Sequence, residues 1–140
     1  MWEKVLAWCR GCLSLSAGVL SYVYGDMNGL IIALFVVIVL DYITGLVKAG
    51  ILHELSSEIG FKGILKKMLI LLVVAMAHVI DSCVGSGETW RNIAIVFYIC
   101  NEGISILENT VACGLPVPVK LREILESIEK KGVEENGNTD

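Results

Sequence analysis

Four apolar stretches, at about 5–23, 30–47, 64–84 and 92–113, are set apart by short polar connections. A bilayer crossing needs roughly 20 mostly apolar residues, so each stretch is a candidate span. The first contains Arg10 among Gly11, Ser14, Ser16, Gly18 and Ser21, small residues of the kind that let helices approach closely in lipid. The second is the most hydrophobic and holds Asp41. In the third, the apolar core from Met68 to Ile80 is short, and Lys66 and Lys67 are expected to snorkel to the interface and complete the span. Tight turns are expected at Tyr24–Gly29 and Asp81–Arg91, with a longer connection from Lys48 to Gly63. Within it, Ser56-Ser57-Glu58 reads as a helix start, a hydroxyl cap followed by an early acid.

The fourth stretch is apolar except along one side. At about 100° per residue, Tyr98, Asn101, Glu102, Ser105, Glu108, Asn109 and Ala112 fall within an arc of about 120°. Glu102 lies near the middle of this stretch. A carboxylate at that depth costs roughly 2.5–3.5 kcal/mol on insertion scales, so it is expected to face protein or water rather than lipid. After Cys113, Gly-Leu-Pro-Val-Pro-Val stops the helix. Leu121, Ile124, Leu125 and Ile128 then recur at helical spacing between Lys and Glu. The expected architecture is an all-α membrane protein: a domain over 1–118 with about four transmembrane helices, then a cytoplasmic amphipathic helix and charged tail over 119–140. Gly132–Asp140 is polar enough to be expected disordered.

Composition agrees with that class. Hydrophobic residues make up 55% of the chain and charged ones only 19%, with ten of the charges after Val119. A soluble all-helical bundle is the competing class, and it would need a polar face along most of each helix. With four spans, Lys4, Arg10, Lys48, Lys62, Lys66, Lys67, Lys120, Arg122, Lys130 and Lys131 share one side and only Arg91 falls on the other. The positive-inside rule then places both termini in the cytoplasm. A first segment lying on the surface would give three spans instead, and Arg10 keeps that arrangement open. Of the five cysteines, Cys9, Cys100 and Cys113 read as small hydrophobes, Cys83 as a loop residue, and Cys9/Cys12 as a C-x-x-C pair with no second pair to make a metal site. No cleavable signal sequence is evident.

Each intramembrane ionisable group has a structural reading. Arg10 can snorkel. Asp41 can pair with Lys48 or with a lysine of the third helix. His78 and Asp81 can mark an outer end, and Glu108 lies nearer the cytoplasmic interface. Taken together they favour a polar interior, which four short helices cannot enclose as a wide pore; self-assembly follows, with the stripe at an interface or a lumen. There is no phosphate loop, nucleophile–base pair or metal cluster, so neither an enzyme nor a cofactor is expected. A net charge of −4 gives no support for nucleic-acid binding.

The ordered pieces Asp41-Tyr-Ile-Thr-Gly45, Leu55-Ser-Ser57, Gly60-Phe-Lys-Gly63, Lys66-Lys67, an apolar run to Asp81, Tyr98-Ile-Cys-Asn-Glu-Gly-Ile-Ser-Ile-Leu-Glu-Asn109 and Gly114-Leu-Pro-Val-Pro118 resemble the phage-lysis and toxin-secretion holins of Gram-positive bacteria and their phages, which include the holin of the clostridial toxin locus. The resemblance runs from about Leu30 to Ile128; Met1–Gly29 carries no family motif. It implies a protein that oligomerises in the cytoplasmic membrane and opens lesions through which a peptidoglycan hydrolase or a large toxin leaves the cell. The site is then an assembly surface rather than a catalytic centre: Asp41, Tyr98, Asn101, Glu102, Ser105, Glu108 and Asn109 at a pore or subunit interface, with Lys62, Lys66 and Lys67 setting topology. Two other readings compete with the holin. A channel or transporter subunit would use the same stripe to bind an ion or solute. A scaffold or antiholin would not form a pore at all.

Overall fold

A computed structural model describes the backbone of residues 1–137 and the side chains of residues 1–131. Among the described residues there are five helices and no strand: α1 (Trp2–Tyr24), α2 (Gly29–Ile51), α3 (Ser57–Val84), α4 (Thr89–Ala112) and α5 (Val119–Gly137). By length and composition three of them, α1, α2 and α3, can cross a membrane. That is one fewer than expected. The polar residues of α4, Asn101, Glu102, Glu108 and Asn109 among them, hold it below that level.

Local chemistry sets most of the boundaries. Asn28 caps α2 by accepting the Ile31 N–H at 3.3 Å, and Ser56 caps α3 by accepting the Ile59 N–H at 3.2 Å with Glu58 in the first turn. α3 stops at Gly85, in the left-handed conformation that glycine adopts without strain. The connection expected over Lys48–Gly63 shrinks to residues 52–56, because α2 continues to Ile51 and α3 begins at Ser57. The turn expected over Asp81–Arg91 likewise narrows to residues 85–88, which places Cys83 in the last turn of α3 rather than in a loop. Helix α5 runs on to Gly137, and residues 138–140, the end of the tail expected to be disordered, lie outside those described.

α4 is the hub of the bundle. α2 lies along it, α3 and α5 pack on other sides of it, and α2 barely touches α3. The apolar core joins Ile31, Leu34 and Ile38 of α2 to Ile70 and Val74 of α3 and Ile95 of α4. Tyr24 closes its end nearest the α1–α2 turn, edge-on against Phe35, with ring centroids 6.2 Å apart. Apart from Tyr24 at its end, α1 packs on α3, and none of its residues is fully buried. Outside this core the bundle is apolar: Ile32, Val36, Val39 and Ile43 of α2 and Leu69, Leu72, Met76 and Val79 of α3 are all exposed. Contiguous exposed apolar rows of this extent mark a surface made for lipid or for other helices, and a water-soluble bundle would have buried them.

Candidate functional site

Three helices bring three charges together towards the end of the bundle at which α2 finishes and α3 begins. Lys67 of α3 bridges Asp41 of α2, at 2.5 Å, and Glu102 of α4. Asp41 also accepts a hydrogen bond from the Asn109 side-chain amide at 3.3 Å, and the same amide reaches the Thr44 hydroxyl at 3.2 Å. Asp41 and Glu102 are buried, at 7% and 3% exposure. Of the two partners the sequence allowed for Asp41, the structure selects a lysine of the third helix. Lys67 therefore departs from the snorkelling expected of it, and only its neighbour Lys66 is exposed. The reason is electrostatic: two carboxylates facing each other in an apolar bundle hold a cation more strongly than the interface attracts it. The cluster contains two acids for one base.

The polar side of α4 divides in two. Glu102 and Asn109 turn inward to Lys67 and Asp41, and Tyr98 packs against the apolar core. Asn101 and Glu108 are exposed, and Ser105 is half-buried between the two sets. All six line an open cleft of about 840 Å³ between α2, α3 and α4, with Asp41, Lys67 and Lys66 on its other walls. Lys62, on its rim, forms an exposed i,i+4 pair with Glu58 at 2.7 Å. Glu108 meets Arg122 of α5 at 3.2 Å, and Arg122 also bonds Glu126 at 2.8 Å. Glu126, and less strongly Glu108, raise the Arg122 guanidinium above its already high ordinary value, so the base stays charged throughout the working pH range.

A second polar cluster, at the opposite end, was not apparent from the sequence. Asp81 accepts the backbone N–H groups of Trp90 (3.0 Å) and Arg91 (2.8 Å) and the Ser86 hydroxyl (2.6 Å). A residue of α3 thus does the capping of α4 that Glu88, the local cap position, does not. Arg91 is completely buried; it pairs with Glu88 and donates to the Asp26 carbonyl at 2.7 Å. Gly25 sits against it with φ 74 and ψ −159, a glycine-only conformation, and a Cβ there would lie 2.8 Å from the His78 ring. His78 Nδ1, Arg91 Nε and Asn92 Oδ1 are buried in this region without a hydrogen-bond partner. A side chain from one helix capping another leaves no local pattern; the one available signal was Asp81 and Arg91 flanking a Gly/Ser turn.

Among the described residues no group of His, Cys, Asp and Glu could hold a metal ion. What remains is a charged cluster at the foot of a cleft, in a bundle with a lipid-like exterior. Comparison with known proteins decides what that combination belongs to: a model of the bacteriophage holin family matches residues 18–130. The chain belongs to the bacteriophage holin family. A probable holin of Bacillus phage phi105 is 36% identical over 109 residues, covering 78% of this chain and 80% of that one. A Listeria innocua protein is 45% identical over 130 residues, 93% of this chain and 92% of its own. A Clostridium perfringens protein from the 3′ region of nagH is 43% identical over 132 residues, 92% and 98% respectively. No solved structure matches. The holin family match takes in the whole of both polar clusters and begins within α1, so most of that helix lies outside it.

Proposed function

We propose that this chain is a working holin. It inserts in the bacterial cytoplasmic membrane with α1 to α4 as spans and both termini inside, oligomerises with itself, and opens lesions that release an endolysin or a large toxin. The observation that carries this reading is the polar cleft beside the Lys67–Asp41–Glu102 cluster. A monomer of this size does not enclose a pore, but it presents a polar wall, Asn101, Ser105 and Glu108, next to a buried ion cluster. Copies arranged with those walls facing one another would line a lumen with groups that hydrogen-bond across helices, each contributing about 0.6–2 kcal/mol in lipid. The basic residues support the orientation. Arg91, the one that falls on the outer side, is wholly buried and paired, so it does not act as a free loop charge.

Induced expression in bacteria tests the function. A holin arrests growth and collapses the membrane potential abruptly after a delay, whereas a transporter subunit, scaffold or antiholin leaves the potential intact. For the topology, native cysteines are removed and single ones introduced. A cysteine at Ser86 is expected to react with an impermeant reagent from outside and one at Ser57 only after permeabilisation. Labelling of the Ser57 site in intact cells would reverse the orientation.

A further inference from the structure

The helix α5 packs along α4 rather than projecting away from it. Leu125 sits over Gly103, where a Cβ would come within 3.1 Å of Leu125 Cδ1. Glu129, one turn further along, is half-buried. The order of these contacts, Arg122 with Glu108 and then Leu125 with Gly103, means that α5 runs back up α4 from its end at Ala112. Gly103 is nine residues from that end, about 14 Å along the axis and near the middle of a hydrocarbon layer roughly 30 Å thick. Between Lys120 and Lys131, α5 carries seven charged residues. A helix so charged cannot stand against lipid at that depth. Docking of α5 on α4 and full exposure of α4 to the hydrocarbon therefore exclude each other.

The apolar side of α5 is only partly used by this packing. Leu121, Ile124 and Ile128 remain 45%, 50% and 41% exposed. On a helical projection Lys120 and Lys131 flank them on the edge away from α4, while Arg122, Glu126 and Glu129 lie toward α4 and Glu123 points to the back. Apolar residues bordered by lysines, with the acids turned elsewhere, match an anionic bilayer surface in both chemistry and charge.

We propose that α5 is a releasable clip whose second docking site is the anionic lipid surface. Bound to α4 it covers the Gly103 face. Drawn to anionic headgroups through Leu121, Ile124, Ile128, Lys120 and Lys131, it leaves that face free for lipid or a neighbouring helix. This rests on α4 crossing the bilayer, as proposed above.

The test uses the full chain in nanodiscs, with spin labels on the native, exposed Cys83 at the outer end of α3 and on Ser127→Cys; Cys9, Cys12 and Cys113 become Ser and Cys100 becomes Ala. In phosphatidylcholine the label–label distances should be short. Adding phosphatidylglycerol should shift the distribution to longer distances in step with its fraction. Lys120→Gln/Lys131→Gln, both on exposed positions, should keep the short distances in both lipids, and Gly103→Leu should give long distances in both. Identical distributions in the two lipids would overturn the proposal. So would a shift that survives the double lysine variant, or one that follows protein copies per disc and not lipid charge. Failure of the underlying topology would appear separately: Cys83 and a cysteine at Leu115 would then react with an impermeant thiol reagent from the same side.

Discussion

The two polar clusters of this bundle are built on opposite plans. At the α3–α4 turn, Asp81 is saturated by two backbone N–H groups and a hydroxyl, all within ten residues of it in sequence, and Arg91 is paired with a glutamate three residues away. At the opposite end, Lys67, Asp41, Glu102 and Asn109 come from three helices, meet through side chains alone and line an open cleft. The Asp81 cluster closes a turn and fixes where α4 starts. The Lys67 cluster has two carboxylates for one lysine and depends on how three helices are arranged. Glu102 and Arg91 are eleven residues apart on α4, roughly 17 Å, and the apolar core fills the space between them.

Removing the shared cation should separate the two ends most sharply. Lys67→Met leaves Asp41 and Glu102 buried without a counter-charge, and breaking a buried pair in this way costs about 3–5 kcal/mol. Denaturant unfolding in detergent should register that loss, and Asp41→Asn/Lys67→Met, which removes one of the stranded charges, should recover part of it. A small effect of Lys67→Met would mean that water already solvates the cluster through the cleft. Second in size is Asp81→Ala, expected to cost about 1–3 kcal/mol because it strands buried donors. Hydrogen exchange should speed up at Trp90 and Arg91 while the amides around Glu102 keep their protection. If protection falls equally at both ends, the ends are not independent.

Asn109→Leu comes next. It loses two hydrogen bonds of about 1 kcal/mol each but regains part of that in apolar contact, so thermal unfolding should shift only slightly. Smallest is Lys62→Ala, which removes an exposed i,i+4 pair worth about 0.3–0.5 kcal/mol and should leave stability within error. A larger effect there would show that the rim of the cleft contributes more than a solvated ion pair.

Much of this plan is legible in the residues. The four apolar stretches, the Ser56 cap and the need of Glu102 for a partner follow from period, side-chain chemistry and the cost of a charge in lipid. For Asp41 the spacing left two partners open, Lys48 or a lysine of the third helix, and did not choose between them. The division of the α4 stripe into an inward pair, Glu102 and Asn109, and an open set, Asn101, Ser105 and Glu108, depends on which side α2 and α3 take, and a helical projection does not carry that. The capping of α4 by Asp81 and the seating of Leu125 on Gly103 are tertiary contacts between elements whose local patterns are complete without them.

On the proposed function, the polar side of α4 is used in opening the membrane. The most direct measurement is membrane depolarisation after induction, with crosslinked oligomer size at matched expression, for wild type, Glu102→Gln and Glu102→Leu. Glu102→Leu leaves Lys67 paired with Asp41 alone and should insert readily, yet abolish or strongly delay depolarisation. Glu102→Gln, which keeps a hydrogen-bonding group at the same reach, should be milder. Depolarisation by the leucine variant with wild-type timing and amplitude would contradict the account, and the opening would then have to be sought along α2 instead.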